Sequence, residues 1–170
     1  MKIVSISLFE NEDCRYAEDL TFVSYFNRHS VAELMREMVR EAVLATVDAR
    51  KVFEHPPWQI LVWKTSARHV AMVTDNEYPV SVAYEVMSTA HSVPLGDILR
   101  HCQDPRAISP MYRVRQQLDE TLVIMHENVD KIIQRSEDIA VLVEKSERLS
   151  ASSKMFYKVA RKHNRCCLIS

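Results

Sequence analysis

The sequence predicts an α+β fold, an antiparallel sheet with flanking helices, followed by one long coiled-coil helix. All six prolines lie at or before Pro110 and the only glycine is Gly96, so residues 111–170 lack both main helix breakers. The first hundred residues instead alternate strand-like runs with helical patterns. We therefore expect a folded domain at 1–100, a connector at 101–110, a coiled-coil segment at 111–163 and a tail at 164–170.

The first three predicted elements are two strands and an amphipathic helix. Lys2–Phe9 alternates well enough for a strand, and Leu20–Phe26 predicts a second one. Ser30 and Glu33 have the spacing of a capping box, which predicts that the first helix begins there. The apolar stripe of this helix consists of Val31, Leu34, Met35, Met38, Val39, Ala42, Val43, Thr46 and Val47. Its charged face consists of Arg36, Glu37, Arg40 and Glu41.

Two further strands, or three, and a second helix complete the predicted domain. Trp58–Trp63 predicts a buried strand, and Val70–Val73 is its expected partner. Asp75–Pro79 predicts a turn that leads into a helix from about Val80 to Thr89. The polar, proline-flanked stretch Gly96–Pro110 predicts a connector.

The last five residues carry the pattern of a lipidation signal. Cys167 is followed by two aliphatic residues and a serine, the C-a-a-X signal for prenylation, and the final serine favours farnesyl. Cys166 is a natural acceptor for palmitate or for a second prenyl group. A basic membrane patch precedes the pair and consists of Lys158, Arg161, Lys162 and Arg165. We expect these covalent lipids, and no other cofactor, to attach the protein to the cytosolic face of a membrane.

Composition argues against several classes of function. A formal net charge of -1 disfavours nucleic-acid binding, and no apolar run approaches the roughly 18 residues of a spanning helix. The apolar start of the chain runs at once into acidic residues, unlike a signal peptide, so we expect a cytosolic protein. Cys14 and Cys102 have no partner spacing, and the seven histidines are scattered, which predicts no metal site. We see neither a nucleophile–base pair nor a glycine-rich phosphate loop and predict no enzyme and no catalytic residue.

The second half of the chain carries a heptad seam. Steps of three and four residues from Arg135 define core positions that are mostly apolar or small. A repeat of this length predicts a left-handed coiled coil, and its small residues suit a crowded bundle. The predicted core positions are Met111, Val114, Leu118, Thr121, Met125, Asn128, Ile132, Ile139, Leu142, Ser146, Leu149, Ser153, Phe156, Ala160 and His163.

Arg135 is the one charged residue at the centre of this seam. A guanidinium in a coiled-coil core costs several kcal/mol unless its donors are satisfied, so partner helices must bring polar groups to it. The alternative is a shifted register that places Arg135 on the surface. That shift would also move Leu142, Leu149 and Phe156 out of the seam.

These features together resemble a known family. A central arginine within such layers resembles an R-SNARE motif, as do Leu118–Thr121 and the stretch Phe156–Lys162. With Cys166–Cys167 and the turn Asp75–Pro79, nearly the whole chain resembles the YKT-type, lipid-anchored synaptobrevin homologues. The resemblance implies that the first domain is a longin-like (profilin-like) domain. It also implies that the helix forms a four-helix bundle with Q-SNAREs, in which Arg135 is the zero-layer residue facing glutamines.

The resemblance implies vesicle docking and membrane fusion, for example in ER–Golgi, intra-Golgi or endosomal and vacuolar transport. It implies an anchored protein on those membranes, with no nucleic-acid or small-molecule partner. A shorter connector than in relatives suggests that a third longin helix is reduced or absent. Relatives can fold the SNARE segment back on the longin domain, and the charged Arg36 and Glu37 are expected to weaken that closed state.

Two rival functions stay open at this stage. The first is a lipid-anchored adaptor, in which the longin-like domain binds trafficking partners and the helix only dimerises. Homodimerisation of the isolated helix without Q-type partners would favour it. The second is a cysteine enzyme, which would need a reactive thiolate at Cys14 or Cys102.

Overall fold

The computed structural model describes residues 2–10, 13–47, 50–55, 57–66, 68–108, 125–128 and 139–166. Its centre is a six-stranded sheet with the order β2-β1-β5-β4-β3-β6. The strands are β1 Ile3–Glu10, β2 Asp13–Glu18, β3 Arg50–His55, β4 Trp58–Lys64, β5 His69–Asp75 and β6 Met125–Asn128. All neighbours among the first five pair antiparallel, and β6 pairs parallel with β3.

Helices cover both faces of this sheet. They are α1 Arg28–Ala45, α2 Val80–Thr89, α3 Leu95–His101, α4 Pro105–Ile108, α5 Ile139–Lys145 and α6 Ala151–Cys166. Helix α1 packs on one face, and α2 and α3 pack on the other. Successive residues of β5 therefore enter different cores: Met72 packs with α2 and α3, while Val73 packs with α1. A sheet buried on both sides explains why its central strands read as nearly continuous apolar runs.

The longin-like sheet and most of its predicted elements are confirmed. Strand β1 and helix α2 lie where the sequence predicts them, and Trp58–Trp63 and Val70–Val73 form the cores of β4 and β5. The sequence left open whether this group contains a third strand. The structure contains one, β3, which pairs with β4 from His55–Trp58 at the hairpin end to Arg50–Trp63.

The predicted strand at Leu20–Phe26 is wrong. The second strand is β2, which pairs with β1 from Glu10–Asp13 onward, so a tight hairpin joins the two strands. Strand β2 is an edge strand with largely polar residues and has little hydrophobic pattern of its own. The stretch predicted as a strand instead forms turns and a short 3₁₀ helix, and its Phe22 ring packs against Trp58 with centroids 5.3 Å apart.

The predicted capping box at Ser30 and Glu33 is also wrong. Helix α1 begins two residues earlier, at Arg28, and Ser30 is a buried residue inside its first turn. The predicted apolar stripe is confirmed at Val39, Ala42 and Val43, which are buried against the sheet. Val47 lies beyond the end of the helix and is exposed.

The stretch predicted as a connector contains helix structure. Helices α3 and α4 fall within it, so the predicted domain boundary at residue 100 lies inside α3. Gln103 ties this region to the sheet: its Nε2 donates to the Ile3 carbonyl and its Oε1 accepts from the Ile3 N–H, both at 2.9 Å. Tyr78 adds a second tie, because its hydroxyl donates to the Cys102 carbonyl at 2.8 Å. A third helix is therefore present, as the seven-residue α3, and the expectation that it is reduced relative to that of relatives stays a prediction.

The described part of the C-terminal segment is not one continuous helix in this free chain. Met125–Asn128 forms strand β6 beside Lys51–Glu54, and helices α5 and α6 are separated by a corner at residues 146–150. The heptad pattern predicts an assembly with other helices. In the free chain, the described parts of the segment lie on the longin-like domain, where β6 pairs with β3 and α6 contacts α1.

Gln103 provides a test of the domain boundary. Replacing it with Ala removes the amide that pairs with both backbone groups of Ile3 and leaves these groups without their partner. We expect the free energy of unfolding to fall by about 1–3 kcal/mol in urea denaturation. The control Arg106→Ala, at an exposed position of α4, should change it by less than about 0.5 kcal/mol. Equal stability of both variants would show that the domain ends before Gln103.

Candidate functional site: a serine-rich corner docked on helix α1

The residues of the predicted SNARE seam do not lie in one continuous helix of the structure. Six positions lie outside the described residues: Met111, Val114, Leu118, Thr121, Ile132 and Arg135, the predicted zero-layer residue. Met125 and Asn128 lie in β6, Ile139 and Leu142 in α5, and His163 in α6. Ser146 and Leu149 lie in the corner between α5 and α6, and Ser153, Phe156 and Ala160 lie in α6.

Serine side chains shape this corner locally. The Ser150 hydroxyl accepts a hydrogen bond from the Ser153 N–H at 3.3 Å, so Ser150 acts as the N-cap of α6. The Ser146 hydroxyl likewise accepts from the Arg148 N–H at 3.3 Å, just after the end of α5. Serine competes well with helical hydrogen bonding at such positions, which explains why the segment bends here when it is not held in a bundle.

Two glutamates of α1 hold the corner. The Ser146 hydroxyl donates to Glu37 Oε1 at 3.0 Å, and the Ser150 N–H and hydroxyl donate to Glu33 Oε2 at 2.9 and 2.8 Å. Arg148 lies 3.9 Å from Glu37 and adds a weaker ionic contact. Hydrogen bonds to a carboxylate are roughly twice as strong as those between neutral groups, so these contacts fix the position of the corner.

The same contact buries the seam. Glu37 is only 6% exposed, Leu149 is 6% exposed and Ser153 is fully buried. Helices α5 and α6 form a hairpin. A hydrogen bond joins them, in which Lys154 Nζ donates to the Glu144 carbonyl at 2.9 Å. Three side chains at predicted bundle positions are therefore already buried in the free chain, and they are Ser146, Leu149 and Ser153.

The pKa values of two glutamates of α1 are shifted in opposite directions near this contact. Burial opposes ionisation of Glu33, but hydrogen bonds from the Ser150 N–H and from the hydroxyls of Ser153 and Ser150, with His29 nearby, lower its pKa from 4.5 to about 2. Burial, followed by the neighbouring Glu37 carboxylate, raises the pKa of Glu41. Glu33 is thus ionised when the corner is docked.

Of the two charged residues that were expected to weaken the closed state, Glu37 takes part in the contact and Arg36 does not. Arg36 turns away from the corner and forms a bidentate ion pair with Glu18 of β2, at 2.6 and 2.7 Å, with its guanidinium 3.8 Å from the Tyr16 ring centroid. Glu37 faces the corner and accepts its hydrogen bond from Ser146. A charged residue on this face therefore serves as an acceptor for a serine-rich partner.

The predicted lipidation residues lie at the end of α6. Cys167 is outside the described residues, and Cys166 is the last residue of the helix. Three residues of the predicted basic patch, Lys158, Arg161 and Lys162, lie along α6, and Arg165 is in its last turn. Within the described ranges, no helix is long and apolar enough to cross a membrane.

The described residues bear on two other kinds of site, a metal centre and a reactive cysteine. Among those residues there is no cluster of His, Cys, Asp and Glu suited to a metal ion. Burial raises the pKa of the Cys14 thiol, despite the opposing effect of Arg40 and Arg36, and burial also raises the pKa of Cys102. Raised pKa values disfavour the thiolate that the cysteine-enzyme rival requires.

Comparisons with known proteins identify the family. The family model described as Synaptobrevin matches residues 110–170, which contain the whole seam. Proteins named synaptobrevin homolog YKT6 match nearly end to end. The relative from Eremothecium gossypii is 34% identical over 99% of this chain and 100% of its own length. The relative from Saccharomyces cerevisiae is 32% identical over 99% and 100%, and that from Schizosaccharomyces pombe is 29% identical over 100% of both.

The chain therefore belongs to the synaptobrevin family of SNARE proteins, as an R-SNARE of the YKT6 type that functions in vesicle trafficking with other SNAREs. The family assigns a role to the seam, but the docking residues Glu33 and Glu37 were missed from sequence. One signal for them was present: the segment Ser150–Ser153 holds three serines, more donors than a coiled-coil seam needs.

The pKa of Glu33 predicts a pH dependence of docking. Because its pKa of about 2 in the docked state lies below the ordinary 4.5, its ionised form stabilises docking. This stabilisation is fully present above about pH 4.5 and is lost as the pH falls toward about 2. We expect the α6 amide signals to shift across this range in an NMR titration, and Glu33→Gln to abolish the shift.

The control is Glu147→Gln, at an exposed position in the same corner, which should retain the wild-type titration. An unchanged titration in Glu33→Gln would show that another group controls docking.

Proposed function

We propose that this R-SNARE contributes one helix to a four-helix bundle with Q-SNAREs and thereby drives vesicle docking and membrane fusion. The observation that carries the proposal is the seam itself, which lies entirely within the residues that match the synaptobrevin family. Its apolar layers contribute roughly 25 cal/mol per Å² as they leave water on assembly. No bond is made or broken in this function, and we propose no enzymatic activity.

Arg135 sets the register of the proposed bundle. Its guanidinium has five donors, which glutamine carboxamides from three partner helices can satisfy within a sealed layer. A single polar core residue is well suited to fix register, because any shift leaves it buried and unpaired. Ile132 and Ile139 are the predicted neighbours that seal this layer.

Assembly requires the corner to leave α1. Ser146, Leu149 and Ser153 are buried against α1 in the free chain, and the bundle needs the same side chains in its seam. The two arrangements are mutually exclusive, so docking on α1 competes with Q-SNARE binding. Partners must supply more stabilisation than the hydrogen bonds to Glu33 and Glu37.

A lipid anchor connects this assembly to the membrane. We propose a prenyl group on Cys167 and palmitate or a second prenyl group on Cys166, assisted by the basic patch. Zippering toward the C-terminus then draws the anchored membrane toward that of the partners. The membranes concerned are those of ER–Golgi, intra-Golgi or endosomal and vacuolar transport.

Substitutions of Arg135 test the bundle. Arg135→Gln places four amides together and should be mild, whereas Arg135→Leu leaves the partners' glutamines without a donor, at about 1–3 kcal/mol. Arg135→Glu buries an unpaired carboxylate, at several kcal/mol. We expect thermal melts of the reconstituted complex to fall in the order Gln, Leu, Glu.

Arg148 provides the matched control, because it is an arginine outside the seam. The same three substitutions there should give nearly equal melts of the complex. Near-equal melts for the Arg135 series would contradict the proposal. Homodimerisation of residues 111–163 without Q-SNAREs would instead support the adaptor.

Substitutions of the two cysteines test the anchor. Cys167→Ser should leave the protein wholly unattached, because prenylation normally precedes acylation of the neighbouring cysteine. Cys166→Ser should give partial, exchangeable attachment, as expected for one chain with a basic patch. Fractionation of cells that express each variant measures this, and a Cys167→Ser protein that still pellets with membranes would refute the assignment.

A further inference from the structure

The C-terminal segment is attached to the longin-like domain at two separate places. Strand β6, Met125–Asn128, pairs in parallel with β3 at the edge of the sheet. The corner, whose first seam residue is Ser146, lies instead on α1. Residues 129–138 connect β6 to α5, and this length of chain is sufficient for one attachment to open while the other stays closed.

The two attachments fall on opposite sides of Arg135 in the sequence. Asn128 precedes Arg135 by seven residues, and Ser146 follows it by eleven. The predicted seam positions from Met111 to Arg135 therefore all precede α5 and the corner. The positions from Ile139 onward lie in α5, in the corner and in α6. Release of β6 alone thus makes only the first half of the seam available to partner helices.

The two attachments also differ in strength. β6 pairs with β3 over four residues, in the parallel arrangement that is slightly less stable per residue than the antiparallel one. The corner donates three hydrogen bonds of 2.8–3.0 Å to the carboxylates of Glu33 and Glu37, and bonds to a carboxylate are roughly twice as strong as neutral ones. Leu149 and Ser153 are buried in the same contact. We therefore expect β6 to be released before the corner.

We propose that the docked corner divides assembly with Q-SNAREs into two stages. In the first stage β6 leaves β3, and the seam positions up to Arg135 join the partner helices while the corner stays on α1. In the second stage the corner leaves α1, and the positions from Ile139 onward complete the bundle. This inference rests on the proposed function. Its consequence is that the lipidated end of the chain is drawn toward the partner membrane only after Glu33 and Glu37 release their serines, so vesicles dock before membranes fuse.

Truncated partners separate the two stages experimentally. The test uses the full chain and one set of three recombinant Q-SNARE helices, either complete or ending at their glutamine layer. Labels at Leu44 and Ala151, in a background without other cysteines, report the position of the corner, and neither residue belongs to the seam. With the truncated helices we expect a complex in which the label distance stays as it is in the free chain. With the complete helices the distance should lengthen.

Affinities then measure the effect of the corner on each stage. Glu33→Ala combined with Glu37→Ala removes the acceptors of the corner and leaves every seam residue unchanged. This double variant should bind the complete helices at least about tenfold more tightly than the parent does, and the truncated helices within about twofold of the parent. If docking instead competed with the whole bundle at once, both affinities would rise equally, and that result would overturn the proposal.

Glu18→Ala is the matched control, because Glu18 contacts α1 through Arg36 and not through the corner. It should leave both affinities unchanged. The near-ultraviolet circular dichroism of Trp58 and Trp63 in β4 verifies that each variant keeps the fold of the sheet. Should the double variant lose this signal, Glu37→Gln keeps the shape and an acceptor but removes the charge. It should tighten binding of the complete helices alone, by about threefold.

The remaining outcomes distinguish this proposal from the proposed function. A label distance that lengthens with the truncated helices would overturn the two-stage assembly and leave the proposed function standing. The same holds if the truncated helices do not bind where the complete ones do. No binding of the complete helices would contradict the proposed function, and the two-stage assembly with it.

Discussion

The contact between two glutamates of α1 and the serines of the corner positions helices α5 and α6 on the rest of the protein. Glu37 is almost fully buried, and its acceptor is satisfied by Ser146 from more than a hundred residues along the chain. Without that donor, a buried carboxylate would carry a penalty of several kcal/mol. Glu37 of α1 therefore needs a donor from the corner, and the corner needs the acceptors of α1. This mutual dependence keeps α5 and α6 on the longin-like domain.

The small side chains of the seam serve both arrangements. Ser146 and Ser153 leave room for large neighbours in a crowded bundle, and in the free chain the same hydroxyls can reach carboxylates. Longer apolar residues at these positions would pack a bundle but would leave Glu37 without its donor Ser146 and Glu33 with the donors of Ser150 alone. The same residues thus help to set the stability of the docked state and, in the proposed bundle, the strength of the seam.

Sequence patterns recovered the parts of the fold that carry their own periodicity. β1, β4, β5 and α2 follow from apolar runs, whereas β2 is an edge strand whose residues form a strand because they pair with β1. The predicted seam and the predicted lipidation signal stay predictions, and they also rest on spacing. The docking contacts do not, because they join residues 109 and 117 positions apart, and Glu33 and Glu37 read from sequence as a helix cap and a solvated face. No local pattern encodes which distant serine a glutamate will meet.

The most direct measurement of the central claim is a spin-label distance between α1 and α6. Ser150, next to Ala151, contacts Glu33, and Leu44 lies 11 residues beyond Glu33 on α1. Labels at Leu44 and Ala151, in a background without other cysteines, should therefore be roughly 17 Å apart plus the label arms. The account predicts a narrow, short distribution in the free chain. It also predicts a broad and longer distribution when Glu33→Ala and Glu37→Ala are combined, and when Q-SNAREs are added to the unsubstituted chain. A distribution that stays narrow and short in the double variant would contradict it.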